Sequence, residues 1–158
     1  KITNTAYSHR SVTVSPDGRW VAFVADADLR PDSVVAMERD SIAELPYDKA
    51  RDEAERNDVD IYVIPVAGGS PRKVATYFGN EGNLAWSPDS RRIAFVGAPG
   101  RMENERVYVV SLSGGAPENL LSDWKYEPQS VDWLANGDIL MTAMTGGSSG
   151  VFWIVPGA

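Results

Sequence analysis

The sequence predicts an all-β chain of antiparallel four-stranded β-propeller blades, an incomplete ring of about three, with one helical insertion. Two repeated blocks and one length mismatch predict it. Ile61-Tyr62-Val63-Ile64-Pro65-Val66-Ala67-Gly68-Gly69 recurs 46 residues later as Val107-Tyr108-Val109-Val110-Ser111-Leu112-Ser113-Gly114-Gly115. Ser15-Pro16-Asp17-Gly18-Arg19-Trp20-Val21-Ala22-Phe23-Val24 recurs 72 residues later as Ser87-Pro88-Asp89-Ser90-Arg91-Arg92-Ile93-Ala94-Phe95-Val96, with a weaker third copy from Leu134 to Thr142. A period in the mid-forties made of short strand patterns is the signature of propeller blades. The two offsets differ by 26 residues, so the first repeat carries extra chain.

Each repeat reads as four strands. First strands are expected at Ser11 to Val14 and Asn83 to Trp86, second strands at Trp20 to Ala25 and Arg92 to Gly97. The second strands are continuous apolar runs, which suits strands buried on both faces. Third strands are expected at Asp60 to Val66 and Arg106 to Leu112, fourth strands at Arg72 to Ala75 and Glu118 to Leu121. Pro16 presets the backbone of the first turn and Gly18 takes a left-handed conformation freely. Ser90 replaces that glycine in the second copy, at a cost of roughly 1 kcal/mol if it too is left-handed.

The expected organisation is one partial propeller over residues 1–158. Lys1-Ile2-Thr3 matches Lys73-Val74-Ala75 at the 72-residue offset and reads as the tail strand of a preceding blade. A blade follows over 11–76, its insertion at about 27–58, then a blade over 83–121 and an incomplete one over 128–158. Val151 to Val155 aligns with the third strands, and Ala158 falls where the Gly-Gly turn is due. Propellers have about four to eight blades, so the sequence reads as part of something larger. Within the insertion, Pro31 can open a helix, with Val34, Met37, Ile42 and Leu45 near one face. Tyr47 to Arg56 reads as a second, polar helix with i,i+4 charge pairs.

Composition narrows the function. There is no cysteine, which removes disulfides, thiolate metal sites and cysteine nucleophiles, and suits cytoplasm and periplasm alike. No apolar run approaches the ~20 residues of a membrane-spanning helix, so no membrane partner is expected. The net charge of −7 lies wholly between Asp26 and Asp60, where 12 acidic residues meet 5 basic ones. Phosphate binding needs a basic face, so no nucleic-acid partner is expected either. The acidic insertion reads as a solvated decoration or as a contact with another domain or subunit, which leaves an oligomer open.

The block Trp86-Ser87-Pro88-Asp89-Ser90-Arg91-Arg92-Ile93-Ala94-Phe95, followed by Val107-Tyr108-Val109 and Gly114-Gly115, resembles the repeat of two groups. One is the propeller of the Tol system. The other is the N-terminal propeller of the prolyl oligopeptidase family of serine peptidases, including acylaminoacyl and dipeptidyl peptidases. The charged insertion looks like those of bacterial acylaminoacyl-peptidase propellers. Asp123-Trp124-Lys125-Tyr126-Glu127 is similar to the Asp-Trp-x-Tyr-Glu-Glu stretch of dipeptidyl peptidases, whose glutamates hold the substrate's amino terminus. Pro128 stands where the second glutamate would, leaving Glu127 as the single substrate-binding candidate. The peptidase resemblance implies a propeller that gates small peptides toward an α/β-hydrolase domain of the same parent chain. The Tol resemblance implies a non-enzymatic scaffold for protein binding.

No catalytic residue is expected in the chain itself. Gly146-Gly147-Ser148-Ser149-Gly150 matches the nucleophile-elbow pattern, but that motif needs a strand before it and a helix after it. Val151 onward reads as strand, so the stretch is expected to be a hairpin loop. His9 is the only histidine and precedes Ser148. Asp26-Ala27-Asp28 and Asp58-Val59-Asp60 could meet if the insertion folds back, but they lack a calcium-loop spacing. No metal and no cofactor is expected.

Overall fold

The computed structural model describes residues 1–46, 58–76, 81–100 and 103–157. Three antiparallel sheets follow one another along the chain. The first is β1 (Arg10–Val14), β2 (Trp20–Asp26), β3 (Val59–Pro65) and β4 (Arg72–Ala75), with α1 (Asp32–Ala43) between β2 and β3. The second is β5 (Gly82–Trp86), β6 (Arg92–Gly97), β7 (Arg106–Ser111) and β8 (Glu118–Asn119). The third is β9 (Glu127–Trp133), β10 (Ile139–Thr145) and β11 (Ser148–Ile154). Each sheet is a meander in chain order, and the first strands β1, β5 and β9 touch one another in sequence. These are the blades of an all-β propeller that does not close its ring. No described helix is long and apolar enough to cross a membrane.

The apolar runs form strands because both faces find partners. Ala22 and Val24 of β2, with Ile61 and Val63 of β3, pack against Trp86, Ile93, Phe95, Tyr108 and Val110 of the second blade. The alternate residues Ala94, Val96, Val107 and Val109 pack against Val131, Ile139, Met141 and Ala143 of the third. Burial of each such large side chain contributes about 1.5–3 kcal/mol. The front of blade 1, Val21, Phe23, Ala25, Tyr62 and Ile64, is covered by Tyr7 and Leu29.

The turns repeat at the level of single hydrogen bonds. Ser15 Oγ donates to Asp17 Oδ1 (2.6 Å) and accepts from the Trp20 N–H (3.0 Å). Ser87 Oγ does the same with Asp89 Oδ1 (2.6 Å) and the Arg92 N–H (2.9 Å). Ser90 is left-handed, φ +60°, as its glycine counterpart Gly18 is at +70°. Its side chain supplies what glycine cannot: Ser90 Oγ accepts from the Asp17 N–H across the blade interface (3.0 Å), and the residue is buried. A second left-handed pair, Ser11 (φ +48°) and Asn83 (φ +51°), sits in register shifts of β1 and β5, 72 residues apart. β-Bulges account for both. The sequence pattern did not signal them.

Three expectations need correction or restriction. Lys1-Ile2-Thr3 lies in none of the described sheets, and the preceding blade expected to hold it is not among them. The loop expected at Gly146 to Gly150 shrinks to Gly146-Gly147; Ser148, Ser149 and Gly150 already belong to β11, paired with Thr145, Met144 and Ala143. The second insertion helix, Tyr47 to Arg56, lies outside the described residues.

Helix α1 forms as expected, with Pro31 at its N-cap, yet none of its residues is buried. Val34, Met37 and Leu45 are 38, 70 and 38 % exposed. Polar contacts at its base hold it instead. The Arg30 guanidinium takes both oxygens of Asp26 and reaches Glu38 (2.5 Å). Asp32 accepts from Ser8 N (2.7 Å) and Oγ (2.6 Å), and Tyr62 Oη donates to the Ala27 carbonyl (2.5 Å). Burial alone would raise the Asp26 carboxyl, but the Arg30 side chain and the N–H groups of Arg30 and Asp28 outweigh it and hold it below the ordinary range.

Two outcomes follow. Ser90→Ala keeps the left-handed backbone and loses the interblade bond, so it should destabilise by about 1–2 kcal/mol in urea unfolding; Ser90→Gly relieves the strain and should lose less. A larger loss for glycine would refute this account. Asp26 binds its proton less readily folded than unfolded, so its stabilisation is complete above the ordinary carboxylate pKa and disappears as pH falls through the lowered one. Thermal unfolding from neutral pH to below about pH 4 should therefore lose less stability in Asp26→Asn than in the parent.

Candidate functional site

Antiparallel strands alternate direction, so one rim of the blades carries the β2–β3, β6–β7 and β10–β11 connections together with the starts of β1, β5 and β9. Glu127 opens β9 on this rim, opposite Met144 in the ladder. The aromatic residues before it anchor its approach. Trp124 meets Phe152 edge-on at 4.8 Å and Tyr126 at 5.4 Å, and its backbone N–H donates to the Leu121 carbonyl (3.1 Å). Trp124 packs on the core between blades 2 and 3, whereas Tyr126 is 44 % exposed. The aromatic pair is thus partly interblade packing and partly open surface.

Pro128 is buried opposite Ala143, beside a register shift between Thr142 and Ala143. A bulge is one of the few places a strand accepts a residue without an N–H. Position 128 therefore points into the sheet and serves the ladder.

A second carboxylate comes from another blade. Glu105 precedes β7 on the same rim, and its carboxyl is raised by partial burial and by the charge of Glu127. Both residues are exposed. Sequence reasoning named Glu127 and missed Glu105, because a loop 22 residues upstream in a different blade leaves no local pattern.

The remaining candidates are placed as follows. Ser148 is the first residue of β11; its Oγ donates to the Thr145 carbonyl (3.4 Å), with a strand on each side and no helix following. His9 lies in blade 1, between the rings of Tyr7 (5.0 Å) and Phe23 (4.7 Å). The two aspartate pairs of the insertion do meet: Asp26 pairs with Val59 and the Ala27 N–H donates to the Asp58 carbonyl (3.1 Å). Two of their carboxylates turn to cations. Asp26 holds Arg30, and the fully buried Asp60 accepts from Thr76 Oγ1 (2.6 Å) and pairs with Lys73. Burial would lower the Lys73 ammonium pKa, but Asp60 outweighs it and raises it. Among the described residues no three potential ligands group around a metal position.

If Glu127 raises Glu105 through space, Glu127→Gln should bring the Glu105 carboxyl down toward its ordinary value. A carboxyl ¹³C titration reads this directly; an unmoved Glu105 would separate the two residues.

No protein-family profile matches the chain. A probable dipeptidyl-peptidase 5 of Aspergillus niger is 29 % identical over 157 residues, covering 91 % of this chain and 19 % of that protein. The chain thus spans about a fifth of the curated relatives it matches. Among solved structures, a putative TolB of Agrobacterium tumefaciens superposes with a TM-score of 0.64 at 18 % identity, covering 90 % of this chain and 41 % of its own. A prolyl endopeptidase superposes with a TM-score of 0.62 at 19 % identity, covering 97 % of this chain and 21 % of its own. These structures carry the fold, and the sequence relatives carry the kinship: the chain is a run of β-propeller blades related to part of dipeptidyl-peptidase 5.

Proposed function

We propose that the chain is the non-catalytic propeller part of a serine peptidase, gating small peptides toward an α/β-hydrolase domain of the same parent protein. The sequence relation to dipeptidyl-peptidase 5 over nine-tenths of the chain supports this most. Ser148, which matches the nucleophile pattern, lies on a hairpin where its hydroxyl donates to the Thr145 carbonyl, with no base bonded to it among the described residues. Ser148→Ala should leave any activity of the parent untouched.

Glu127, with Glu105 beside it, is the part we assign to substrate. A peptide's amino terminus is an ammonium with three donors. Two carboxylates that repel each other on an open rim gain when such a cation sits between them. A charge-assisted bond of this kind contributes roughly 1.5–3 kcal/mol. In the full-length protein, Glu127→Gln should lower kcat/KM for free-amino peptides by roughly 10- to 150-fold and spare amino-blocked ones. Equal losses on both classes, or none on either, would remove Glu127 from the binding site.

A further inference from the structure

The turn between β9 and β10 repeats that of the other blades with its charges exchanged. Asp17-Gly18-Arg19 and Asp89-Ser90-Arg91 become Asn136-Gly137-Asp138 in the third copy. The first side chain has the same place in all three. Asp17 Oδ1 accepts from the Arg19 N–H (3.0 Å), Asp89 Oδ1 from that of Arg91 (3.1 Å) and Asn136 Oδ1 from that of Asp138 (3.2 Å). Asp and Asn both suit this place, because each can bond the backbone two residues on. Only the amide suits blade 3. There the residue two positions on is acidic, and Asn136 Nδ2 donates to Asp138 Oδ2 (2.6 Å), which also accepts from Trp153 Nε1 (3.0 Å). An aspartate at position 136 would set two carboxylates against each other.

The same dipeptide is chemically reactive. Asn136-Gly137 is the one Asn-Gly pair of the chain; its other asparagines precede Thr, Asp, Glu or Leu. Glycine has no side chain to crowd its own nitrogen, and Asn136 is exposed. We propose that Asn136-Gly137 is a modification site, at which the protein deamidates without an enzyme. The Gly137 nitrogen gives up its proton to hydroxide and attacks Asn136 Cγ. The N–Cγ bond forms, the Cγ–Nδ2 bond breaks, and ammonia leaves with a proton taken from water. Water then opens the five-membered succinimide at one of its two carbonyls, giving aspartate or isoaspartate. One water is consumed and one ammonia released, with no change of oxidation state.

The turn sets both the rate and the consequence. The Gly137 N–H donates to the Leu134 carbonyl (3.0 Å), and the Leu134 N–H donates to the Asp138 carbonyl (2.8 Å). The Gly137 nitrogen is therefore free to attack only when the turn opens, a local event that costs less than global unfolding. Aspartate at 136 can still accept from the Asp138 N–H, as Asp17 and Asp89 accept in their turns, but it faces the Asp138 carboxylate. Isoaspartate adds one carbon to the main chain between Leu134 and Asp138 and disturbs both backbone bonds. Either product loosens the link from β10 to β9, the strand that carries Glu127 at its other end.

Peptide mapping by mass spectrometry tests this on the full-length protein, held folded in mildly alkaline buffer. The peptide spanning Asn136 should gain one mass unit before those of the other six asparagines of this segment, and three units in ¹⁸O-labelled water. The gain should speed up as pH rises, and again in urea, which opens the turn. Asn136→Gln, whose ring would need a sixth atom, should suppress it. Earlier conversion at another of these asparagines would overturn the proposal. So would an unmodified Asn136 in the folded protein while the urea-treated chain converts. The effect on the turn has its own readout. Asn136→Asp, one of the two products, should lower the melting temperature, and adding Asp138→Arg should restore it by rebuilding the Asp-x-Arg turn of blades 1 and 2. An Asn136→Asp protein that melts with the parent would refute the assigned effect.

Discussion

Everything in this molecule depends on the burial of apolar sheet faces against neighbouring blades, on both faces in the middle one. A four-stranded meander with one covered face would expose half of its apolar residues. β2, β3, β6 and β7 are apolar on both sides, and successive residues go to opposite neighbours: Ile93 and Phe95 to blade 1, Ala94 and Val96 to blade 3. No blade is stable in this sense by itself, which is why a repeat of this kind is read as a stack and not as separate units.

Polar contacts fix how the blades register once the apolar faces have met. Ser90 reaches the Asp17 N–H, Trp86 Nε1 the Thr13 carbonyl (3.4 Å), Asn83 Nδ2 the Gln129 carbonyl (2.7 Å) and Arg72 the Leu112 carbonyl. The bonds lie near both rims and along the inner strands. Hydrophobic burial is non-directional, whereas a hydrogen bond left unmade at a buried position costs about 1–3 kcal/mol. The apolar faces supply the attraction and these bonds select one arrangement.

The insertion follows another rule. Its helix buries nothing, so propensity and packing alone would leave it marginal at 12 residues. The ion pairs of Arg30 and the clasp between Ser8 and Asp32 tie it to the blade at its root. The same rim carries Glu105 and Glu127.

The sequence by itself determined the blades. Period, turn residues and two-sided apolar runs are local signals, and they located the strands they named to within three residues, the helix after Pro31 and the strand context that disqualifies Ser148. Tertiary structure decided what depends on two segments meeting. It brought Glu105 within reach of the Glu127 charge, gave Ser90 a reason to replace glycine and set Pro128 in a bulge. The reason is physical: a strand's periodicity is written along the chain, but a contact between blades depends on their relative placement, which no window of neighbouring residues contains.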